Sequence, residues 1–437
     1  MYATRPPSYV GPMHSFSRTP SYTVEPRPHE QRLAMNAPIR SRRRGNFLKV
    51  SKNGEIKLRL RQEDDNLELP VYGSGDSIEG LVELTRTENM SSVEIKVEGH
   101  FQLKESGYTH HTLCLDKVTL WVRDANNRVC PPSLRFSRKL PTSFQYEGRN
   151  YPLPPSHSVE LKGIPGFCAT IDYSVSAITH VGNTTASTPF IYCPRSRPAV
   201  PIPSPLLCAD AGRFVEQPEW KLYRSVLKPS SAKARGRNID VKFYLPASRI
   251  FCASQPIPFH LSFESDASSL AAFAPYAPAT TDSNTSSGKV YPATTQVRMM
   301  RRTTADAAAR HSTPDDAKAK GGIWRVDYLG EATFTRASTS PTSLAFTGHI
   351  TMPGGIKAMG FAVPGLSVRD CILLTVAPPE GTRSPPFVGV REVIPVRLTT
   401  DAWTEDGRGV GAEAPVEGRS VERRSASVSP ERGWELV

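Results

Sequence analysis

The chain has 437 residues, 38% of them hydrophobic, and carries 54 Lys and Arg against 42 Asp and Glu for a formal net charge of +12. That length suits two or three domains with real cores; the densest apolar run, Cys371 to Ala377, falls far short of the roughly 20 residues of a membrane helix, and Pro, Ser and Tyr interrupt any secretory signal pattern at the N-terminus. Seven cysteines, an odd number with no CxxC pair, argue against a disulfide frame or a zinc site, so the expectation is a cytoplasmic chain with reduced thiols, no metal and no cofactor.

Residues 1–45 read as a disordered leader rich in Pro and Arg. Within it Pro6-Pro7-Ser8-Tyr9 forms a PPxY peptide: the two prolines pre-set a polyproline II backbone, and a WW domain takes them in an aromatic groove with the tyrosine in a second pocket. Pro20 and Tyr22 sit in a similar frame without the first proline, which makes them a weak second ligand at most. Up to residue 46 the chain has eight arginines against Glu25 and Glu30. Half of the net charge is therefore local, and Arg40, Arg42, Arg43 and Arg44 form a cluster suited to anionic headgroups, to nuclear import, or simply to a solvated patch. No aromatic stacking platform, helix-turn-helix or zinc finger accompanies it, so nucleic acid is not the expected partner.

From about Asn46 the pattern turns to period-two alternation, the mark of half-buried strands. Val93, Ile95, Val97, Phe101 and Leu103 alternate with Glu94, Lys96, Glu98, His100 and Gln102. Ile78 to Leu84 and Ala169 to Ala177 repeat the pattern, and no segment shows a sustained helical period. Residues 46–188 are therefore expected to form one β-sandwich. A Pro-rich stretch, 189–235, reads as an interdomain connection in which continued sheet pairing is improbable. Alternation resumes at Val241 to Leu245 and Ile257 to Phe263, with further strands expected at Gln296 to Arg302, Trp324 to Phe334, Leu344 to Met352, Ser367 to Val376 and Glu392 to Thr399. These place a second sandwich at 236–403, interrupted by flexible insertions at 266–292 and 303–321. Residues 404–437 read as a disordered tail, where Ser427, three residues after Arg424, and Ser429, followed by Pro430, suit basophilic and proline-directed kinases.

Four stretches, in their order along the chain, give it a family resemblance. Gly75-Asp76-Ser77-Ile78-Glu79-Gly80-Leu81-Val82, Val93-Glu94-Ile95-Lys96-Val97-Glu98-Gly99, Leu140-Pro141-Thr142-Ser143-Phe144 and Ile171-Asp172-Tyr173-Ser174-Val175-Ser176-Ala177 are similar to segments of the fungal alpha-arrestin family, with a looser match at Leu366 to Val376 and Ile394-Pro395-Val396-Arg397-Leu398. The resemblance implies an all-β chain of two consecutive immunoglobulin-like sandwiches. It also implies an adaptor that engages a membrane transporter or receptor and recruits a WW-domain HECT-type ubiquitin ligase for endocytic sorting, at the plasma membrane or endosome. Only Pro6, Pro7 and Tyr9 match a family functional motif, and the tail lacks the PPxY that many relatives carry after the second sandwich.

An enzyme is not expected. GxSxG, HExxH, P-loop and GxGxxG patterns are absent from the sequence. His110 and His111 are adjacent in a predicted strand and project to opposite faces, and Asp64-Asp65-Asn66 is turn chemistry. Two other binding readings remain open: an arrestin-fold trafficking or signalling scaffold that works without a ligase, and a glycan-binding sandwich, which needs a row of exposed aromatics.

Overall fold

A computed structural model describes residues 29–33, 45–62, 68–88, 90–105, 107–124, 128–180, 184–209, 212–230, 236–280, 294–306, 322–353, 356, 358–378 and 385–405. The first strands are β1 (Glu30–Leu33), β2 (Gly45–Val50), β3 (Ile56–Gln62), β4 (Val71–Tyr72), β5 (Ser77–Leu84), β6 (Ser92–Lys104), β7 (Tyr108–Val122) and β8 (Ser133–Lys139). Then come β9 (Ser143–Tyr146), β10 (Arg149–Pro152), β11 (His157–Leu161), β12 (Phe167–Thr179), β13 (Thr184–Tyr192) and β14 (Arg195–Pro198). The later strands are β15 (Trp220–Leu227), β16 (Ile239–Pro246), β17 (Ile250–Cys252) and β18 (Ile257–Glu264). After the short helix α1 (Ala267–Phe273), β19 (Thr295–Ala305), β20 (Ile323–Ser340), β21 (Ser343–Thr351), β22 (Phe361–Val363), β23 (Leu366–Val376) and β24 (Val390–Thr399) complete the chain.

The architecture is all-β, as the alternation predicts. Two sheets, β2-β3-β5-β8 and β4-β13-β12-β6-β7 with β11 on β12, face each other across a core that includes Leu58, Ile78, Val82, Ile95, Val97, Phe101, Tyr173 and Val175. On β6 every second residue from Val93 to Leu103 is buried, because a pleated strand sends alternate side chains to opposite faces. The early glycine motif has a local reason. Gly75 turns the chain at φ +74°, the Asp76 carboxylate accepts a 2.6 Å hydrogen bond from the Gly73 N–H, and a Cβ on Gly80 would stand 2.7 Å from the Phe136 ring. Tyr72, in the Leu69-Pro70-Val71-Tyr72 stretch, is buried.

The second half builds one sheet, β15-β16-β18-β21-β20-β19-β23-β24-β17 with β22 on β23, wrapped around a core that includes Phe243, Phe259, Phe263, Met299, Phe346, Ile372 and Leu398. Register shifts at Met299/Met300 and Arg336/Ser338 bend strands that would otherwise stay flat. Where the sheet comes round on itself, Ser225 of β15 donates to the Glu392 carboxylate of β24 at 2.8 Å.

Four segments differ from what the sequence predicts. Glu30–Leu33, in the expected leader, is a strand paired antiparallel with Arg195–Pro198, which lies in the expected Pro-rich connection. That connection also holds β15, an edge strand whose backbone ladder is with β16; its eight residues contain no proline, so nothing bars pairing. Finally, the expected loop at 266–292 opens with α1, capped by the Asp266 side chain, which accepts from the Ser269 N–H at 2.8 Å. At seven residues the helix is too short to show a period, yet Leu270 and Phe273, with Tyr276 just beyond it, enter the second core. The expected insertion at 303–321 likewise opens with regular structure, since Thr303, Thr304 and Ala305 complete β19 and pair with both β20 and β23; residues 281–293 and 307–321 lie outside the described residues.

The β6 pattern carries a direct test. Val97→Asp places an unpaired carboxylate in the first core and is expected to lower stability by about 3 kcal/mol or more, whereas Lys96→Asp on the wet face should cost about 1 kcal/mol or less. Urea unfolding of the two variants distinguishes them, and equal losses would contradict the assignment of faces.

Candidate functional site

Every residue singled out by motif, namely Pro6, Pro7, Tyr9, Pro20, Tyr22, Arg40, Arg42, Arg43, Arg44, Ser427 and Ser429, lies outside the described residues. The structure instead draws attention to a polar site that the sequence reading did not contain, where three distant pieces of chain meet.

The site is a clasp built on β14. Its backbone pairs with β1 on one side, and on the other the Ser196 carbonyl accepts from the Asp401 N–H at 3.0 Å while the Ser196 N–H donates to Thr400 Oγ1 at 2.9 Å. Side chains repeat the three-way link. Arg195 grips the Asp401 carboxylate through Nε, at 3.0 Å, and through Nη2. Arg197 donates from Nε to Gln31 Oε1 at 2.8 Å and from Nη1 to Thr404 Oγ1 at 2.6 Å. The Glu30 carboxylate, almost wholly buried, meets Arg397 Nη2 of β24 at 2.7 Å. Such bidentate and charge-assisted contacts fix geometry as well as charge.

Between these groups is a cavity of about 80 Å³, lined by Glu30, Arg32, Tyr192, Arg195, Phe361 and Arg397 among others. Burial pulls the Arg32 guanidinium below its usual value, and Glu30 opposes that shift. Burial likewise pushes the Tyr192 hydroxyl up to about 12, and it raises the Cys193 thiol, with Asp401 adding to the effect. A thiol held protonated is a poor nucleophile. The seven cysteines are all free, with Cys130 and Cys252 buried and Cys168 exposed.

A second polar contact lies beside the clasp. Arg301 of β19 makes a bidentate pair with Asp370 of β23, at 2.8 and 3.0 Å, and donates its remaining arm to the Ala358 carbonyl at 2.7 Å. The pair is buried, with side chains 9% and 1% exposed. Facing it from the first sheet, His157 rests edge-on against Phe361. Burial, then the charge of Arg301, lowers its pKa to about 4, so the ring is neutral near pH 7. Arg325 completes the junction by donating to the Glu160 carbonyl at 2.7 Å.

The adjacent histidines behave as a strand requires. His110 is exposed and stacks on His100, and His111 turns inward against Phe101 and Tyr146. Among the described residues no group of three His, Cys, Asp or Glu side chains is placed to hold a metal, and no helix is long and apolar enough to cross a membrane. A scan against protein-family models finds none that matches the chain, and a search of curated proteins finds no significant relative.

Two tests follow from the charges. Asp370→Asn leaves a buried guanidinium without its counter-charge and is expected to cost about 3 kcal/mol, while Asp401→Asn, in a pair whose side chains are 14% and 24% exposed, should cost about 1 kcal/mol; chemical denaturation of both gives the ranking. The second concerns acid. His260 is buried between Phe214 and Trp220, its Nε2 accepts the Leu206 N–H at 3.0 Å, and burial lowers its pKa from 6.5 to about 4, as for His157. Between about pH 6.5 and 4 the unfolded chain binds more protons than the folded one, so stability is full above pH 6.5 and falls as the pH drops towards 4. His260→Leu should weaken the dependence of unfolding free energy on pH in that window, and an unchanged slope would refute the assignment.

Proposed function

We propose that this chain is a non-enzymatic adaptor of the arrestin type, which holds a membrane transporter or receptor on its β-cores and presents Pro6-Pro7-Ser8-Tyr9 to the WW domain of a HECT-type ubiquitin ligase. The observation that carries the reading is the pairing of two all-β cores in series with a PPxY peptide upstream of β1, the strand locked into the junction through β14 and Arg397. An adaptor must keep its recruiting peptide accessible while fixing where that peptide leaves the folded body, and β1 supplies such a fixed point. The order of the four motif stretches in the first core adds support, and the side chains of those stretches have packing roles that depend on the all-β arrangement.

The test is a pull-down and titration of the full chain against a panel of WW domains. Binding is expected with Kd on the order of micromolar and should be abolished in Tyr9→Ala, because the tyrosine pocket is then empty, while Tyr22→Ala should change it little. Binding that survives Tyr9→Ala would overturn the ligase link. Cargo sorting that persists without residues 1–28 would favour the ligase-independent scaffold.

A further inference from the structure

Beside the clasp, on the side of the second core, lies a groove of about 100 Å³. Ile250 and Phe251, both buried, form its floor, and Val200, Ile202 and Trp403 form its walls. Val200 and Ile202 are 39% and 40% exposed, so apolar walls stand in water. Among the described residues no Asp, Glu, Lys, Arg or His lines the groove, and its polar members are Ser248 and Gln255, with the Cys252 thiol. A groove of that lining suits an apolar occupant that brings no charge into it.

The leader enters the fold at the rim of this groove. Pro198, opposite Glu30 in the ladder of β1 and β14, is one of the lining residues. The next residue, Ala199, donates its N–H to the His29 carbonyl at 2.6 Å, and Val200 follows at once. The ladder stops there for a chemical reason. Pro28 would be next on one side and Pro201 follows Val200 on the other, and neither has an N–H to give; His29 itself turns the chain at φ +69°, in the left-handed region. Upstream of His29 the order is Val24-Glu25-Pro26-Arg27-Pro28. Proline fixes its own φ and keeps the residue before it out of the helical region, so this order favours an extended chain that loses little entropy on docking.

We propose that residues 24–28 of the leader fill this groove, with Val24, Pro26 and Pro28 against Trp403, Ile202 and Val200, and with Glu25 and Arg27 carrying their charges out at the rim. Aromatic-lined grooves are where proline-rich segments dock. Five extended residues span at most about 18 Å, and their attachment at His29 stands beside the first wall residue. The seat therefore meets its occupant in cis, at an effective concentration on the order of millimolar. The tail also departs nearby, since Glu405 lies two residues past Trp403, but it opens with Asp406-Gly407-Arg408-Gly409, which offers no apolar side chain, and glycine loses the most freedom on ordering. A second copy of the chain would have to displace a tethered segment. Seating leaves residues 1–23 outside the groove, and the proposal stands whether or not Pro6-Pro7-Ser8-Tyr9 binds a WW domain.

The experiment places the photo-crosslinking residue p-benzoylphenylalanine at Gln255, and separately at Ser248, in the full chain and maps the crosslinks by mass spectrometry. They are expected within the leader, at or next to residues 24–28 of the same molecule, in the monomer band. Val24→Asp/Pro26→Asp should lower their yield roughly tenfold or more, because an unpaired carboxylate would have to enter the groove. Ile202→Asp should do the same, while Arg27→Gln should change the yield little. The leader pair lies upstream of β1, so its thermal midpoint should stay near the wild-type value, which separates a lost seat from lost folding. Wild-type yield from Val24→Asp/Pro26→Asp would overturn the proposal. So would crosslinks that fall on residues 406–437, that join two copies, or that miss the leader altogether.

Discussion

The apolar seam between the two halves is the constraint on which the rest of the structure depends. Ala305, Phe361, Val363, Leu366 and Val368 come from the strands of the second sheet, yet they are part of the first core with Ile95, Phe101 and Tyr173. Burial of side chains of this size is worth about 1.5–3 kcal/mol each for the larger ones, so separating the halves would expose several such contacts at once. The two cores are therefore mechanically one body at this seam. The polar contacts beside it are arranged around a junction that hydrophobic burial already holds closed.

That division of labour explains why the clasp can be so polar. Arg301–Asp370 and Glu30–Arg397 are desolvated pairs, and pairs of that kind contribute little net stability compared with apolar residues of the same volume, while the loss of one member is severe. Their contribution is to register. Charge pairing defines which strand lies against which, so β1 has one seat on β14 and Arg397 one partner on β1. In the adaptor reading, the same pairs define the point from which the recruiting peptide departs.

Much of the fold was legible in the sequence because period-two burial is a local property. From Val93 to Leu103, or from Ala169 to Ala177, each residue reports its own face, and the structure buries the positions that the alternation selects. The clasp was not legible, for the opposite reason. Arg195 and Arg197 lie between Pro194 and Pro198, Asp401 lies just past the end of β24, neither piece shows periodicity, and Arg195 finds its partner 206 residues away. The available signal was charge: Glu30 is one of two acids in an arginine-rich leader, and a lone carboxylate there is a candidate for burial against a distant cation. Edge strand β15 escaped because the prolines around it dominated the composition of its neighbourhood.

The clasp also has a consequence for the order in which the protein is made. Gln31 and Arg197 are synthesised early, and β1 can pair with β14 as soon as both have emerged from the ribosome. Asp401 and Thr404, which complete the hydrogen bonds of Arg195 and Arg197, are polymerised about two hundred residues later. Closing a loop of that length carries an entropic penalty that grows only slowly with length, but no amount of local folding can supply the missing partners ahead of translation. A nascent chain therefore lacks the Asp401 and Thr404 contacts of these two guanidinium groups until the residues after β24 arrive, and a chain truncated before Asp401 lacks them permanently. The clasp thus joins a strand made early to residues made only after β24, so that its full set of hydrogen bonds reports that translation has passed Thr404.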